Sequence, residues 1–213
     1  IKTSGTSTIT GNIGVSPVPA TSIIGFDMNL DSTAEFSTAY EFSGKAFAGD
    51  GEGPVQEELT LATSEMEAAY NYAAQVPNTD SAKMDLKNGI IGGLTLTPGV
   101  YTFTDAAAGV TIDDDIILAG SVDDVFIIRT NGPLTLAANK DIILSGGVLP
   151  KNVFWQVAGD VLVESDAEVQ GVLLSEAAVL FKGGSSLEGR VLSQGCVTLE
   201  AMVVVGTVEA FCA

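Results

Sequence analysis

Histidine is absent from this 213-residue chain. That removes His-based triads, His general bases and His metal sites together. Basic residues are scarce as well: 9 Lys and Arg stand against 27 Asp and Glu, a formal charge of −18. A surface this acidic repels phosphate, which excludes nucleic acid and an anionic membrane as partners. Charged residues of either sign make up only 17% of the chain. Many outward positions must therefore carry Thr, Ser, Ala, Gly or plain aliphatics. Two cysteines, Cys196 and Cys212, are too few for a disulfide framework. No apolar run reaches the length of a membrane span. What the chain does have is 46% apolar residues and a mean hydropathy of +0.35, which excludes disorder. The length points to a single domain over 1–213. The chain opens on Ile1 rather than Met, and it is expected to follow a segment removed upstream, as in a secreted, extracellular protein.

The C-terminal third repeats itself. Val161-Leu162-Val163 recurs as Val179-Leu180-Phe181 and as Val197-Thr198-Leu199, each step being 18 residues. The same offset links Val169, Leu187 and Val205, and it links Gly171-Val172-Leu173-Leu174-Ser175 to Gly189-Arg190-Val191-Leu192-Ser193. Each period holds three short aliphatic runs separated by Gly, Ser, Asp or Glu turns. Three strands per period describe one coil of a triangular β-solenoid, with coils stacked at the strand spacing of roughly 4.8 Å. A parallel stack holds such a period because a register slip would expose its apolar ladder. Ile116-Ile117-Leu118, Val125-Phe126-Ile127-Ile128, Leu134-Thr135-Leu136 and Ile142-Ile143-Leu144 read as further, less regular strands.

One segment has a different period. Val55, Leu59, Ala62, Met66, Ala69, Tyr70 and Ala73 follow helical spacing. Pro54 suits the first helical position, Pro77 ends the run, and Glu52, Glu57 and Glu58 sit where the helix dipole favours acids. The spacing predicts a helix over 54–76, about 33 Å long and able to lie along the axis of about seven coils.

Three motifs carry a resemblance: Ile9-Thr10-Gly11-Asn12-Ile13-Gly14-Val15-Ser16-Pro17, Gly92-Gly93-Leu94-Thr95-Leu96-Thr97-Pro98-Gly99-Val100-Tyr101, and Lys151-Asn152-Val153-Phe154-Trp155-Gln156-Val157-Ala158-Gly159 continuing through Gly183-Gly184-Ser185-Ser186-Leu187-Glu188-Gly189-Arg190. In their order and spacing, over nearly the whole chain, the sequence resembles the microbial and algal ice-binding proteins. These are built as a discontinuous right-handed β-helix with a long lateral helix. Ile1-Lys2-Thr3 stands where family members usually carry another strand. The resemblance implies adsorption to an ice crystal surface through one flat solenoid face, with thermal hysteresis and inhibition of ice recrystallisation. It also implies secretion and cold adaptation. It implies no cofactor, no metal and no catalytic residues, and the chain is expected to act as a monomer.

The residues indicate which face. With Val161 and Val163 inward, Asp160, Leu162 and Glu164 point outward. One coil on come Ala178, Leu180 and Lys182, then Cys196, Thr198 and Glu200; an earlier coil gives Pro133, Thr135 and Ala137. The central column Thr135, Leu162, Leu180 and Thr198 is uncharged, and by resemblance it is the centre of the ice-binding face. The Thr-rich N-terminal units, with Thr6, Thr8, Thr21 and Ile23, are expected to complete it. Short side chains cost little entropy to order, whereas charges hold their own hydration. Leu162 and Leu180 are larger than Thr, and Glu164, Lys182 and Glu200 line one margin, so moderate activity is expected.

Other readings attach to the same residues. The Thr and Leu column also fits plain β-propensity on a solvated sheet. Asp113-Asp114-Asp115 and Asp123-Asp124 fit solvated turns better than a Ca²⁺ site. Phe154, Trp155 and Tyr101 fit core packing better than sugar stacking, with Phe154 and Trp155 facing opposite sides. Cys196 and Cys212 stand two residues short of a full coil apart, and disulfide and free thiols stay open. The competing function is a secreted polysaccharide-binding or polysaccharide-cleaving β-helix protein, for which the scattered basic residues offer no supporting constellation.

Overall fold

The computed structural model describes residues 1–201 with their side chains and the backbone of 203–210. Its strands pair almost entirely in parallel, and the 18-residue period appears as hydrogen-bonded register: Val161, Val179 and Val197 are direct partners, as are Leu162, Leu180 and Thr198. The chain is a parallel β-helix with three faces. One face is a six-stranded sheet of Lys2–Ser4, Val197–Glu200, Val179–Phe181, Val161–Val163, Leu134–Leu136 and Val110–Ile112. A second comprises Thr95–Leu96, Ile116–Ala119 and Ile142–Ser145, continued by the first halves of Glu168–Ser175 and Ser186–Ser193. The third comprises Gly99–Phe103, Phe126–Thr130 and Val153–Val157, continued by the second halves of those two long strands.

The stacking order departs from chain order. Lys2–Ser4 pairs with Val197–Glu200, and Thr8–Thr10 and Ile13–Val15 both pair with the strand Val203–Ala210. The first coil of the chain therefore stacks beyond the last, which is the discontinuity the resemblance implied. Ile1-Lys2-Thr3 supplies a full rank of the first sheet. Phe42–Ala48 then adds to the stack in parallel, and Ser37–Ala39 and Asn29–Leu30 follow it in antiparallel pairing, covering an edge that would otherwise be open to pairing with another chain.

Inward residues form one continuous apolar core running from Ile9 and Ile13 through Leu199, Phe181, Val163, Leu136 and Ile112 to Leu96 and Phe103. Trp155 is fully buried and donates its indole N–H to the Gln170 carbonyl at 3.0 Å. Phe154 points the opposite way, as alternation requires, and packs beneath the helix; Tyr101 is buried. None of the three is available as a sugar platform.

The two eight-residue strands turn a corner midway, at Gly171 and Gly189, which are direct partners with φ of 119° and 150°. A Cβ on Gly189 would lie 1.8 Å from the Gly171 carbonyl oxygen. Gly189→Ala is therefore expected to cost about 1–3 kcal/mol, read as a lowered midpoint of thermal unfolding. An unchanged midpoint would show that the corner relaxes freely.

The helix spans Val55–Gln75, with Pro54 as N-cap rather than first helical residue. It lies over the third face, where Ala73, Tyr70 and Val76 meet Ile127, Phe154, Val172 and Leu174. Its buried residues are Val55, Leu59, Met66 and Ala73. Ala69, expected in the buried stripe, is exposed, because spacings of four, seven and seven residues make a seam too narrow to include it. Among the described residues, no helix is long and apolar enough to cross a membrane.

Candidate functional site

With the helix on the third face, the first face is left open. Its central outward column runs Thr111, Thr135, Leu162, Leu180, Thr198, Lys2, every step a direct strand pairing. Inward neighbours on the same strands are nearly all buried: Val110 and Ile112, Val161 and Val163, Val179 and Phe181, Val197 and Leu199. Alternation thus fixes each column residue outward, and the parallel ladder fixes its height at roughly 4.8 Å per rank. Thr111, one rank beyond Thr135, went unnoticed in the sequence because the strand before it lies outside the strict period. Lys2 went unnoticed too, since its partner is nearly two hundred residues away along the chain; it places a charge in an otherwise uncharged column.

Turns hold the strands feeding this face. Gly132 donates its N–H to Thr130 Oγ1 at 3.0 Å, and Gly195 donates to Ser193 Oγ at 3.1 Å. Thr130, Val157, Ser175 and Ser193 stack in register at this corner. At Thr130, Ser175 and Ser193 a short buried hydroxyl satisfies the backbone of the turn without filling the core, and Val157 is the exception.

The charged margin is quieter than its composition suggests. Lys182 Nζ reaches both carboxylate oxygens of Glu164 in the neighbouring coil, at 2.8 and 2.9 Å. On the other margin Asp160 Oδ1 accepts the Ala178 N–H at 3.1 Å. Ala178 is exposed beside Leu180, and Cys196 is exposed in the equivalent place beside Thr198. Cys212 lies outside the described residues. At the turn leaving the face, Asp114 pairs with Lys140 at 2.7 Å. The hydrogen bond from Lys140 holds the Asp114 carboxyl below its ordinary range, and the same bond raises the Lys140 ammonium. Asp115 accepts the Asp141 N–H, so the acidic run is engaged in turn bonding.

The N-terminal expectations need correction. Ile23 is buried at 6% exposure and belongs to the core; its neighbour Ile24 is the one that points outward. Thr8 does not join the first face. Its strand lies on the second face, in the same sheet segment as the Glu168 and Glu188 side chains. Thr6 is exposed in the turn between these two faces, and Thr21 is exposed in a short 3-10 turn over Ala20–Ser22; neither stands in the column. Thr135, Leu162, Ala178, Leu180 and Thr198 are brought together on the first face as the repeat required.

Such a stack defines a class: a discontinuous parallel β-helix with one flank under a helix and one bare, regularly spaced sheet. The family model described as ice-binding-like matches residues 1–205. An ice-binding protein of Flammulina populicola is 38% identical over 199 residues, spanning 93% of this chain and 78% of that one. One from Colwellia sp. is 36% identical, spanning 96% and 77%. Among solved structures, an ice-binding protein with antifreeze activity from an Arctic yeast superposes with a TM-score of 0.91 at 36% identity, covering 96% of this chain and 86% of that one. The chain belongs to the ice-binding-like family.

Proposed function

We propose that this protein adsorbs to ice through the first face, with Thr111, Thr135, Leu162, Leu180 and Thr198 as the contact column and Ala178 beside it. The observation that carries the reading is the column itself. It is a rigid, in-register array of uncharged side chains on the sheet that the helix leaves bare. Water ordered over methyls and hydroxyls at strand pitch can join a growing lattice, and the backbone ladder has already met the ordering cost. Bound protein then pins the crystal front, giving thermal hysteresis and slower recrystallisation. The work needs no cofactor, metal or bond-breaking step. That its relatives are ice-binding proteins supports the reading. We further propose that the domain acts as one unit, as a monomer, outside the cell.

Ice crystals grown just below the melting point in micromolar protein test this directly. Faceted, growth-arrested crystals are expected. Unaltered discs, accompanied by uronate release from pectin or alginate, would replace this reading with a polysaccharide-cleaving one.

A further inference from the structure

Two isoleucines at the ends of the solenoid are unusually open to solvent: Ile24 at 52% and Ile90 at 54%. Each belongs to an Ile-Ile pair whose other member is buried, Ile23 at 6% and Ile91 at 0%. Burying one isoleucine explains one of each pair; the outward one gains nothing from the core. Both outward members stand in the column described above. Ile90 is the bridge partner of Thr111, and Ile24 is the bridge partner of Lys2.

We propose that the ice-contacting column is eight ranks long, and that its terminal ranks are Ile90 and Ile24, supplied by the two segments that close the solenoid. The proposal rests on the reading of the first face given above and extends it to residues outside the repeat. Backbone bonds hold both ends in the lattice of the sheet. Ile91 donates its N–H to the Thr111 carbonyl at 2.9 Å. Ile24 donates to the Ile1 carbonyl at 3.0 Å, and Thr3 donates to the Ile24 carbonyl at 2.8 Å. The end side chains are thus set at the same pitch as the inner ones, about 34 Å apart over seven steps. Their surroundings also suit the role. Residues 20–26 and 88–94 hold no charged side chain, whereas the inner ranks carry Asp160, Glu164, Lys182 and Glu200 along their margins. The closing segments are therefore less charged at this face than the coils they close.

Lys2 is the one flaw in the column. It separates Ile24 from Thr198, and its ammonium keeps its own hydration. Its flexible stem lets the charge bend aside, so the flaw weakens the column without ending it.

The test measures thermal hysteresis of the full chain carrying Ile90→Tyr, Ile24→Tyr or Lys2→Thr, with Leu180→Tyr marking the centre of the face. Ile143→Tyr, on the second face at a similarly exposed isoleucine, controls for adding a surface aromatic. Thermal unfolding of each variant checks the fold, and Ile90→Lys and Ile24→Lys repeat the end substitutions without a ring. The expected result is a loss of at least a third of the hysteresis for each end variant, a gain for Lys2→Thr and no change for Ile143→Tyr. If Leu180→Tyr loses activity while both end isoleucines tolerate Tyr and Lys, the column stops at Thr111 and Thr198 and the extension is wrong. If Leu180→Tyr also keeps full activity, the assignment of the face itself fails.

Discussion

Leu180→Tyr, and separately Thr198→Tyr, should remove most of the thermal hysteresis while leaving the midpoint of thermal unfolding where it was. Both residues stand mid-column with a direct partner on either side, Leu162 and Thr198 for Leu180, Leu180 and Lys2 for Thr198. A phenol ring there stands above its neighbours' side chains. A rigid sheet cannot yield to a rigid crystal, so one bulge separates several ranks from the ice plane at once. The loss is thus larger than the area of one residue would suggest. Stability should hardly move, because both side chains are half-buried on the solvent side; substitutions at such positions stay within about 0.5 kcal/mol. Hysteresis measured alongside thermal unfolding separates the effects. Full activity in both variants would exclude this face, and a joint fall in activity and unfolding temperature would mean the fold had been damaged instead.

That prediction draws on residues whose placement was readable in the sequence, because the period is strict where they lie. From Val161 to Leu199 an 18-residue offset carries the inward Val161, Val163, Val169 and Leu173 onto inward apolar partners, and only a stacked register preserves such an offset. The expected match of Leu187 with Val205 does not hold, because Leu187 pairs with Val204 and that step is one residue shorter. The helix was readable for a related reason, its 3.6 period contrasting with the alternation on either side. The N-terminal part was not. Lys2 meets Thr198 through the discontinuity of the stack, and periodicity along the chain carries no information about a coil displaced to the opposite end. Ile23 and Ile24 are chemically identical neighbours, so composition cannot say which one faces out. The hydrogen bond from Ile24 to Ile1 decides it, and a one-residue slip would reverse the answer. Thr8-Ile9-Thr10 has the alternation expected of an outward Thr array, and it is one. The turn through Gly5 and Thr6, however, carries it around the corner onto the face that holds Glu168 and Glu188.

Arg129 was equally invisible in the sequence, as one of nine scattered basic residues, and its removal should have the largest effect on stability. The helix has no basic residue in its last turn. Its C-terminal carbonyls carry the negative end of the helix dipole and need donors. Arg129, reaching out from the sheet beneath, supplies them: its guanidinium donates to the Ala74 carbonyl at 2.6 Å and the Val76 carbonyl at 2.7 Å, and its Nε donates to Thr102 Oγ1 at 2.9 Å. Burial lowers the guanidinium's pKa, yet arginine stays charged across the accessible pH range, so the latch does not open with pH. Charge-assisted bonds of this kind contribute about 1.5–3 kcal/mol each, less what water restores. Arg129→Ala is therefore expected to cost about 3–4 kcal/mol, lowering the unfolding midpoint by roughly 10 °C for a domain of this size. Both carbonyls are met by one guanidinium nitrogen, which a lysine ammonium can imitate, but lysine has no second donor for Thr102 Oγ1, so Arg129→Lys should recover only part of the loss. The helix covers Ile127, Phe154, Val172 and Leu174, and loosening it would expose an apolar strip on the third face. Hysteresis near the freezing point should nevertheless survive in Arg129→Ala, because the first face draws its rigidity from its own ladder and from the core behind it. Loss of activity at a temperature where the variant is still folded would show that the helix governs the shape of the opposite face as well as the stability of its own.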